Sequence, residues 1–257
     1  MKNNIFLFSH QDDEIAVFKT IKNILSRNEK IFIFFLTNGN ISNFNDIDLI
    51  SKRENESKKV LEKIGVKSEN ISFLGKSLSI NSYNLLNNLE NVYNKLSSFI
   101  DQLEGEIEIY THAWEGGNID HDASFVLALK LMRNYSNIKY GYQFPFYNSY
   151  KMPFNLYRIF YPISINGNAV KSKISFNEKI EFIKYLFYYV SQIKIWIGLY
   201  PFIIIKILTN NYNYLQKINS NFELNKPHQD LLWYEKKKFV KFEKSIILFK
   251  AFLNPNI

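Results

Sequence analysis

A chain of 257 residues with 46% hydrophobic side chains is long enough for one large domain with a substantial core. It has no cysteine, which excludes a disulfide framework and a thiolate metal site, so any metal must be held by histidine and carboxylates. The formal net charge is +8, but only four of the 32 basic residues are arginine (Arg27, Arg53, Arg133 and Arg158), the side chain that does most of the reading of bases and phosphates. The lysines are scattered among asparagine and isoleucine, and no nucleic-acid partner is expected.

The first half alternates between apolar runs and helical patterns. Strands are expected at Asn4–Ser9, Lys30–Thr37, Asn70–Leu74, Glu106–Thr111 and Ile138–Phe144, with helices near Asp13–Ser26, Ile50–Ile64, Tyr83–Leu103 and His121–Arg133. The strands read as nearly continuous apolar runs, Ile31-Phe32-Ile33-Phe34-Phe35-Leu36 most clearly, which suits a mostly parallel sheet covered on both faces. The pattern predicts an α/β fold, a doubly wound, Rossmann-like three-layer sandwich. No GxGxxG follows the first strand, so dinucleotide binding of the usual kind is not supported.

Composition shifts near residue 145, and all six prolines lie at Pro145 or later. Residues 1–145 read as an α/β core. Residues 146–257 read as an appended, α-rich and aromatic extension within one domain, walling whatever site the core carries. In it, Tyr142–Tyr161 reads as irregular structure or short edge strands, and helices are expected at Asn177–Leu199 and Leu231–Leu253. Tyr185–Leu208 is about long enough to cross a bilayer, but Gln192, Lys194, Lys206 and Pro201 interrupt it. It reads as a core helix ending near Leu199, with an interfacial segment touching lipid as the alternative.

Two strand-to-helix junctions concentrate the chemistry. The first is His10-Gln11-Asp12-Asp13-Glu14, directly behind the first strand; the second is Thr111-His112-Ala113-Trp114-Glu115-Gly116-Gly117-Asn118-Ile119-Asp120-His121-Asp122. Loops at the carboxyl ends of strands are where open α/β proteins place their sites. Three of the four histidines fall in these junctions, and two histidines with one carboxylate form a recognised catalytic zinc set. A bland alternative for the first junction is a capping box with Ser9 as N-cap and Asp12 at N3, which leaves His10 unexplained. The bland alternatives for His112 and His121 are a packed strand-end histidine and a helix-start histidine.

The pentad resembles the AHPDDE signature of the PIG-L or LmbE-like zinc-dependent de-N-acetylases, and Asn118-Ile119-Asp120-His121 is similar to that family's HPDH motif. Leu36-Thr37-Asn38-Gly39, Arg53-Glu54-Asn55-Glu56 with Leu61–Val66, and Phe73-Leu74-Gly75 resemble the intervening elements in order. Tyr189-Val190-Ser191-Gln192 continues the likeness weakly. The resemblance implies a metal-dependent hydrolase that removes acetyl from an N-acetylated sugar or conjugate. His10, Asp13 and His121 would be the Zn2+ ligands, with Fe2+ an alternative ion, and Asp12 the general base. Arg53 would contact sugar hydroxyls, although by itself it reads as an exposed helical residue pairing with Glu56. Glu14 belongs to the first helical turn or supports a ligand, and Asp120 orients His10 or another ligand, or caps the following helix.

Two positions depart from the family pattern. Gln11 replaces a proline. Asn118 replaces the first histidine of HPDH, and asparagine can donate a hydrogen bond to substrate but not a proton at neutral pH. His112 is the candidate to supply the missing catalytic function. The departure also keeps open a catalytically impaired member that only binds a glycan or a partner. The substrate sugar could be lipid- or nucleotide-linked. With no signal-peptide pattern at Met1–Ile5, a cytoplasmic location is expected, with peripheral contact at the inner membrane surface as an extension.

Overall fold

In the computed structural model, which describes residues 2–41, 46–154, 156–193 and 200–254, the apolar runs form the central layer. Strands β1 (Asn3–Phe8), β2 (Lys30–Phe35), β3 (Ile71–Phe73), β4 (Ile107–His112) and β5 (Ile138–Phe144) pair in parallel in the order β3-β2-β1-β4-β5. The uninterrupted hydrophobicity of β1 follows from a two-residue period with both faces covered. Ile5 and Leu7 enter one core cluster, with Trp114, Ala123 and Leu127; Phe6 and Phe8 enter another, with Ile21, Ile33 and Tyr110. Helices α1 (Phe18–Leu25), α2 (Ile47–Ile64), α3 (Leu74–Ser77), α4 (Leu89–Ile100) and α5 (Ile119–Asn134) flank the sheet. Ile119 through Leu131 of α5 are all buried, polar first turn included, so this helix belongs to the interior.

The chain runs outward from β1 to β2 and β3, then returns to the other side of β1 as β4. That reversal is the topological switch point, where the connections leave β1 and β4 in opposite directions and open a crevice at their carboxyl ends. Both histidine-bearing junctions lie there.

Beyond β5 the two-stranded pair β6 (Tyr147–Asn148) and β7 (Arg158–Ile159) occupies the aromatic stretch. The expected α-rich extension is corrected in one respect. β8 (Ala169–Lys173) and β9 (Tyr212–Lys217) add to the main sheet, β9 antiparallel to β5 and β8 antiparallel to β9, making seven strands among the described residues. These two strands escape a search for apolar runs because they carry lysine, serine and asparagine and are mostly half-exposed or exposed. Helices α6 (Phe176–Leu186) and α7 (Tyr200–Thr209) lie between β8 and β9 in sequence; the stretch 194–199 within the expected helix Asn177–Leu199 lies outside the described residues. The expected Leu231–Leu253 helix is two, α8 (Trp233–Lys236) and α9 (Phe242–Leu253), separated by Lys238 in the left-handed region at φ 59°. No helix among the described residues is long and apolar enough to cross a membrane.

Two departures from the expected helices bear on the site. The Asp13–Ser26 segment begins as a 3-10 turn, Asp13–Val17, before α1. The Tyr83–Leu103 helix starts six residues late because the Asp120 carboxylate takes the backbone N–H groups of Tyr83 (2.5 Å) and Leu85 (3.1 Å), and Tyr83 sits at φ 66°. A carboxylate that needs donors has outcompeted the local helical ladder.

Candidate metal centre and active-site cleft

The capping-box reading of the first junction is overturned. Ser9 Oγ donates to the Asp120 carbonyl at 2.9 Å, and the 3-10 turn has Asp12 at its N-cap with no side-chain cap bond. Asp12 itself lies at φ 119°, a region costly for a residue with a Cβ. The surroundings hold it there. Its N–H donates to Glu14 Oε2 at 3.0 Å, and Glu14 Oε1 accepts from the Tyr189 hydroxyl at 2.7 Å. Glu14 is fully buried, and that burial, only partly offset by these donors, pushes its carboxyl up to about 7.

His10, Asp13 and His121 converge, with one ligand atom from each lying within 4.8 Å of the others. Asp13 is the hub. Its Oδ2 accepts from the His10 backbone N–H at 2.6 Å and lies 2.9 Å from His112 Nε2 and 3.5 Å from His10 Nδ1; its Oδ1 lies 3.4 Å from His121 Nε2. Burial would raise the Asp13 pKa, but the three imidazoles more than offset it and hold the carboxyl well below its ordinary range. For His10, burial opposes the charged ring, yet Asp13 and Asp120 outweigh it and raise the pKa to about 10. Burial lowers His112, and burial with the neighbouring His112 takes His121 down to about 3.

The donor chemistry fits a divalent ion. His10 Nε2 is 3.0 Å from Asp120 Oδ2, so Nδ1 is the nitrogen turned toward Asp13, and the carboxylate–histidine pair fixes the ring as outer partners of metal ligands do. Two nitrogens and a carboxylate oxygen on one side leave further positions open to the cleft.

The cleft is lined by His10, Asp12, Asp13, Ile41, Arg53, Ser82, Tyr83, Asn118, His121, Phe146, Tyr147 and Gln192. Asp12 faces it with 16% of its side chain exposed. Burial raises the Asp12 pKa to about 7, with Arg53 opposing and Asp13 adding. Arg53 is not an exposed partner of Glu56. It is buried, donating from Nη1 to the Gly39 carbonyl at 2.6 Å and from Nη2 to the Gln11 carbonyl at 2.9 Å, with Asp12 Oδ1 at 3.7 Å. With its side-chain amide turned so that the oxygen faces Arg53, Gln192 accepts from Nε at 2.8 Å. Glu56 instead takes the Ser191 N–H at 2.9 Å. The weak Tyr189–Gln192 likeness therefore marks a segment that touches Glu14, Glu56 and Arg53. Gly39, at φ 76°, has no room for a side chain: a Cβ would stand 2.3 Å from Gln11 Oε1.

His112 does not line the cleft. It is fully buried behind Asp13, its ring stacked on His121 at 3.7 Å between centroids. Asn118 does face the cleft and also caps α5, its Oδ1 accepting the Asp120 N–H at 2.9 Å. Two residues that sequence reasoning passed over, Tyr83 and Tyr147, complete the wall. Neither belongs to a motif or carries a metal-ligating group, and only the topology brings them here.

Fold and donor set together define an α/β protein with a candidate cation site at the switch point of its sheet. The chain belongs to the PIG-L family: the family model described as GlcNAc-PI de-N-acetylase matches residues 5–132. No curated protein matches it. Among solved structures it is similar to the zinc inhibited form of teicoplanin deacetylase, with 11% identity over 84% of this chain and 97% of that one and a TM-score of 0.60. It is also similar to an N,N'-diacetylchitobiose deacetylase from Pyrococcus horikoshii (15% identity, 88% and 87% covered, TM-score 0.57). A 4-carboxy-2-hydroxymuconate hydratase from Pseudomonas putida shares the fold as well (14% identity, 88% and 99% covered, TM-score 0.50). At these identities the likeness establishes the fold, and the chemistry must be argued from the site.

Proposed function

We propose that the protein is a metal-dependent hydrolase that removes the acetyl group from an N-acetylated sugar or sugar conjugate. The observation that carries this reading is the His10–Asp13–His121 cluster with a second carboxylate, Asp12, held beside it on a strained turn and facing the same cleft. His10 through Nδ1, His121 through Nε2 and Asp13 would hold the ion, zinc or another divalent metal such as Fe2+. When bound, the ion would polarise the amide carbonyl and make water more acidic. Asp12 then removes the proton of the attacking water and delivers a proton to the departing amine. A carboxyl raised toward 7 is suited to both transfers. Glu14 and Arg53 keep the Asp12 turn in place, and the rim formed by Arg53 and Asn118 faces the sugar. Asp120 orients His10, and His112 braces Asp13 from behind rather than meeting the substrate.

Acetate release from N-acetylglucosamine conjugates by the zinc- or iron-loaded protein tests the reading. Turnover that disappears on chelation and returns with metal is the expected result; no acetate across a broad sugar panel would reject it. That outcome would favour the alternative, a glycan- or partner-binding protein, which the asparagine at position 118 supports.

A lipid-linked substrate is favoured by the surroundings of the cleft. From Tyr147 an aromatic path leads through Tyr157 to Phe202 and Trp233, and Phe154, Leu156, Phe202, Ile205 and Leu231 are exposed. Arg158 and Lys206 lie against Tyr161, and Lys237 against Trp233. Apolar side chains interleaved with cations suit the surface of an anionic bilayer. The protein is expected to sediment with anionic vesicles and to lose this on Phe202→Asp; equal recovery of the two proteins in the pellet would refute the contact.

A further inference from the structure

The strained turn that carries Asp12 is held from behind by a segment outside both histidine junctions. We propose that the 3-10 turn Val190–Gln192 is a lipid-contact element that also positions the base, so that docking on an anionic phospholipid bilayer raises turnover. The proposal rests on the deacetylase reading above and extends the lipid contact from α7 to the base.

The inward side of this turn reaches the Asp12 loop by two routes. Tyr189 is 1% exposed; its hydroxyl donates to Glu14 Oε1 at 2.7 Å, and Glu14 Oε2 accepts the Asp12 N–H at 3.0 Å. Gln192 is 2% exposed and accepts from Arg53, whose Nη2 donates to the Gln11 carbonyl at 2.9 Å and lies 3.7 Å from Asp12 Oδ1. Between them, the Ser191 N–H and hydroxyl both donate to Glu56, one turn along α2 from Arg53. A residue with a Cβ keeps φ 119° only where its surroundings over-determine it, and these two routes do so. Tyr189 and Gln192 are therefore positioning residues, acting through Glu14 and Arg53.

The outward side is apolar. Residues three apart eclipse in a 3-10 turn, so Tyr189 and Gln192 share one side and Val190 and Ile193 the next. Val190 is 50% exposed and Ile193 53%. The ammonium groups of Lys59 and Lys63 lie over the ring of neighbouring Tyr188, at 5.1 and 5.3 Å from its centroid, and both lysines are exposed. Ile203 and Ile207 of α7 share a core cluster with Tyr189, while Phe202 and Ile205 of the same helix are exposed. Apolar side chains set among exposed cations complement an anionic headgroup layer. A single 3-10 turn has poorer hydrogen bonds than an α-helix and depends on what covers it. Lipid over Val190 and Ile193 would stabilise the turn whose other side fixes Asp12, and so favour the productive position of the base without touching it.

The test uses the metal-loaded protein, a water-soluble N-acetylglucosamine conjugate, and vesicles of phosphatidylglycerol with phosphatidylcholine. Vesicles are expected to raise kcat about 10-fold with KM within a few-fold. Val190→Asp should keep the basal rate and lose the rise, whereas Val190→Leu should keep both. Gln192→Leu should lower kcat at unchanged KM; Gln192→Glu retains an acceptor for Arg53 and should keep most of the rate. Hydrogen exchange of the peptide spanning residues 10–14 is read without substrate, and it should slow when the parent binds vesicles but not in Val190→Asp. Slowed exchange in a protein that releases no acetate would uphold the coupling and refute the substrate. A parent that sediments with the vesicles yet shows the same rate and the same exchange would overturn the coupling and leave the deacetylase reading intact. Failure to sediment, or a Gln192→Leu rate equal to the parent's, would overturn it as well.

Discussion

Asp13→Ala is expected to leave the protein without stoichiometric metal. Asp13 touches all three histidines of the site, at 2.9 Å from His112 and within 3.5 Å of His10 and His121. Its removal deletes one ligand and also the acceptor that fixes the His10 backbone N–H. Loss of a supporting partner alone costs roughly 10–100-fold in metal affinity, and loss of the ligand itself should exceed that. Zinc per chain after dialysis, measured by elemental analysis, should fall from near one to near zero, and activity should fall with it. Retention of one zinc per chain would remove Asp13 from the ligand set. The fold should survive, because the core clusters on either side of β1 do not include this residue.

Asp12→Asn is expected to give the complementary result: metal retained and turnover reduced by about 10²–10⁴-fold. Asparagine tolerates the left-handed region better than most residues, so φ 119° persists, and the backbone bond to Glu14 does not involve the altered atoms. What is lost is the ability to accept a proton. The pH profile separates this from a packing defect. Asp12 must be ionised to act, and its carboxyl is raised to about 7. The parent rate should therefore climb with pH through an ascending limb, and a bound cation moves that limb to or below pH 7. In Asp12→Asn the residual rate should lack the limb. A variant that keeps both the rate and the limb would exclude Asp12 as the base.

The two junctions were readable because histidine is scarce in this chain and strand ends are where such folds place their chemistry. The family likeness then separated ligands from base. What could not be read is equally specific. Arg53 looks exposed because its helix is polar, and only the folded loop of Gly39 and Gln11 shows that its donors are consumed internally. His112 is buried against Asp13 and does not line the cleft, a distinction that a count of residues does not make. Asp120 captures N–H groups 37 and 35 residues away, and this long-range competition suppresses helix where local propensity favours it. β8 and β9 were missed because partly exposed strands lack the continuous apolar run that revealed β1 and β2.

The bond between His10 and Asp120 joins positions 110 residues apart. Its partners therefore meet only after β1 and β4 have paired, and the residues proposed to hold the ion, His10, Asp13 and His121, are drawn from both sides of that closure. No short fragment of the chain can present the set. A bound cation would act as a removable cross-link across a long loop, stabilising the folded form by mass action and leaving the unfolded chain untouched. Metal supply would then set the lifetime of this protein as well as its rate.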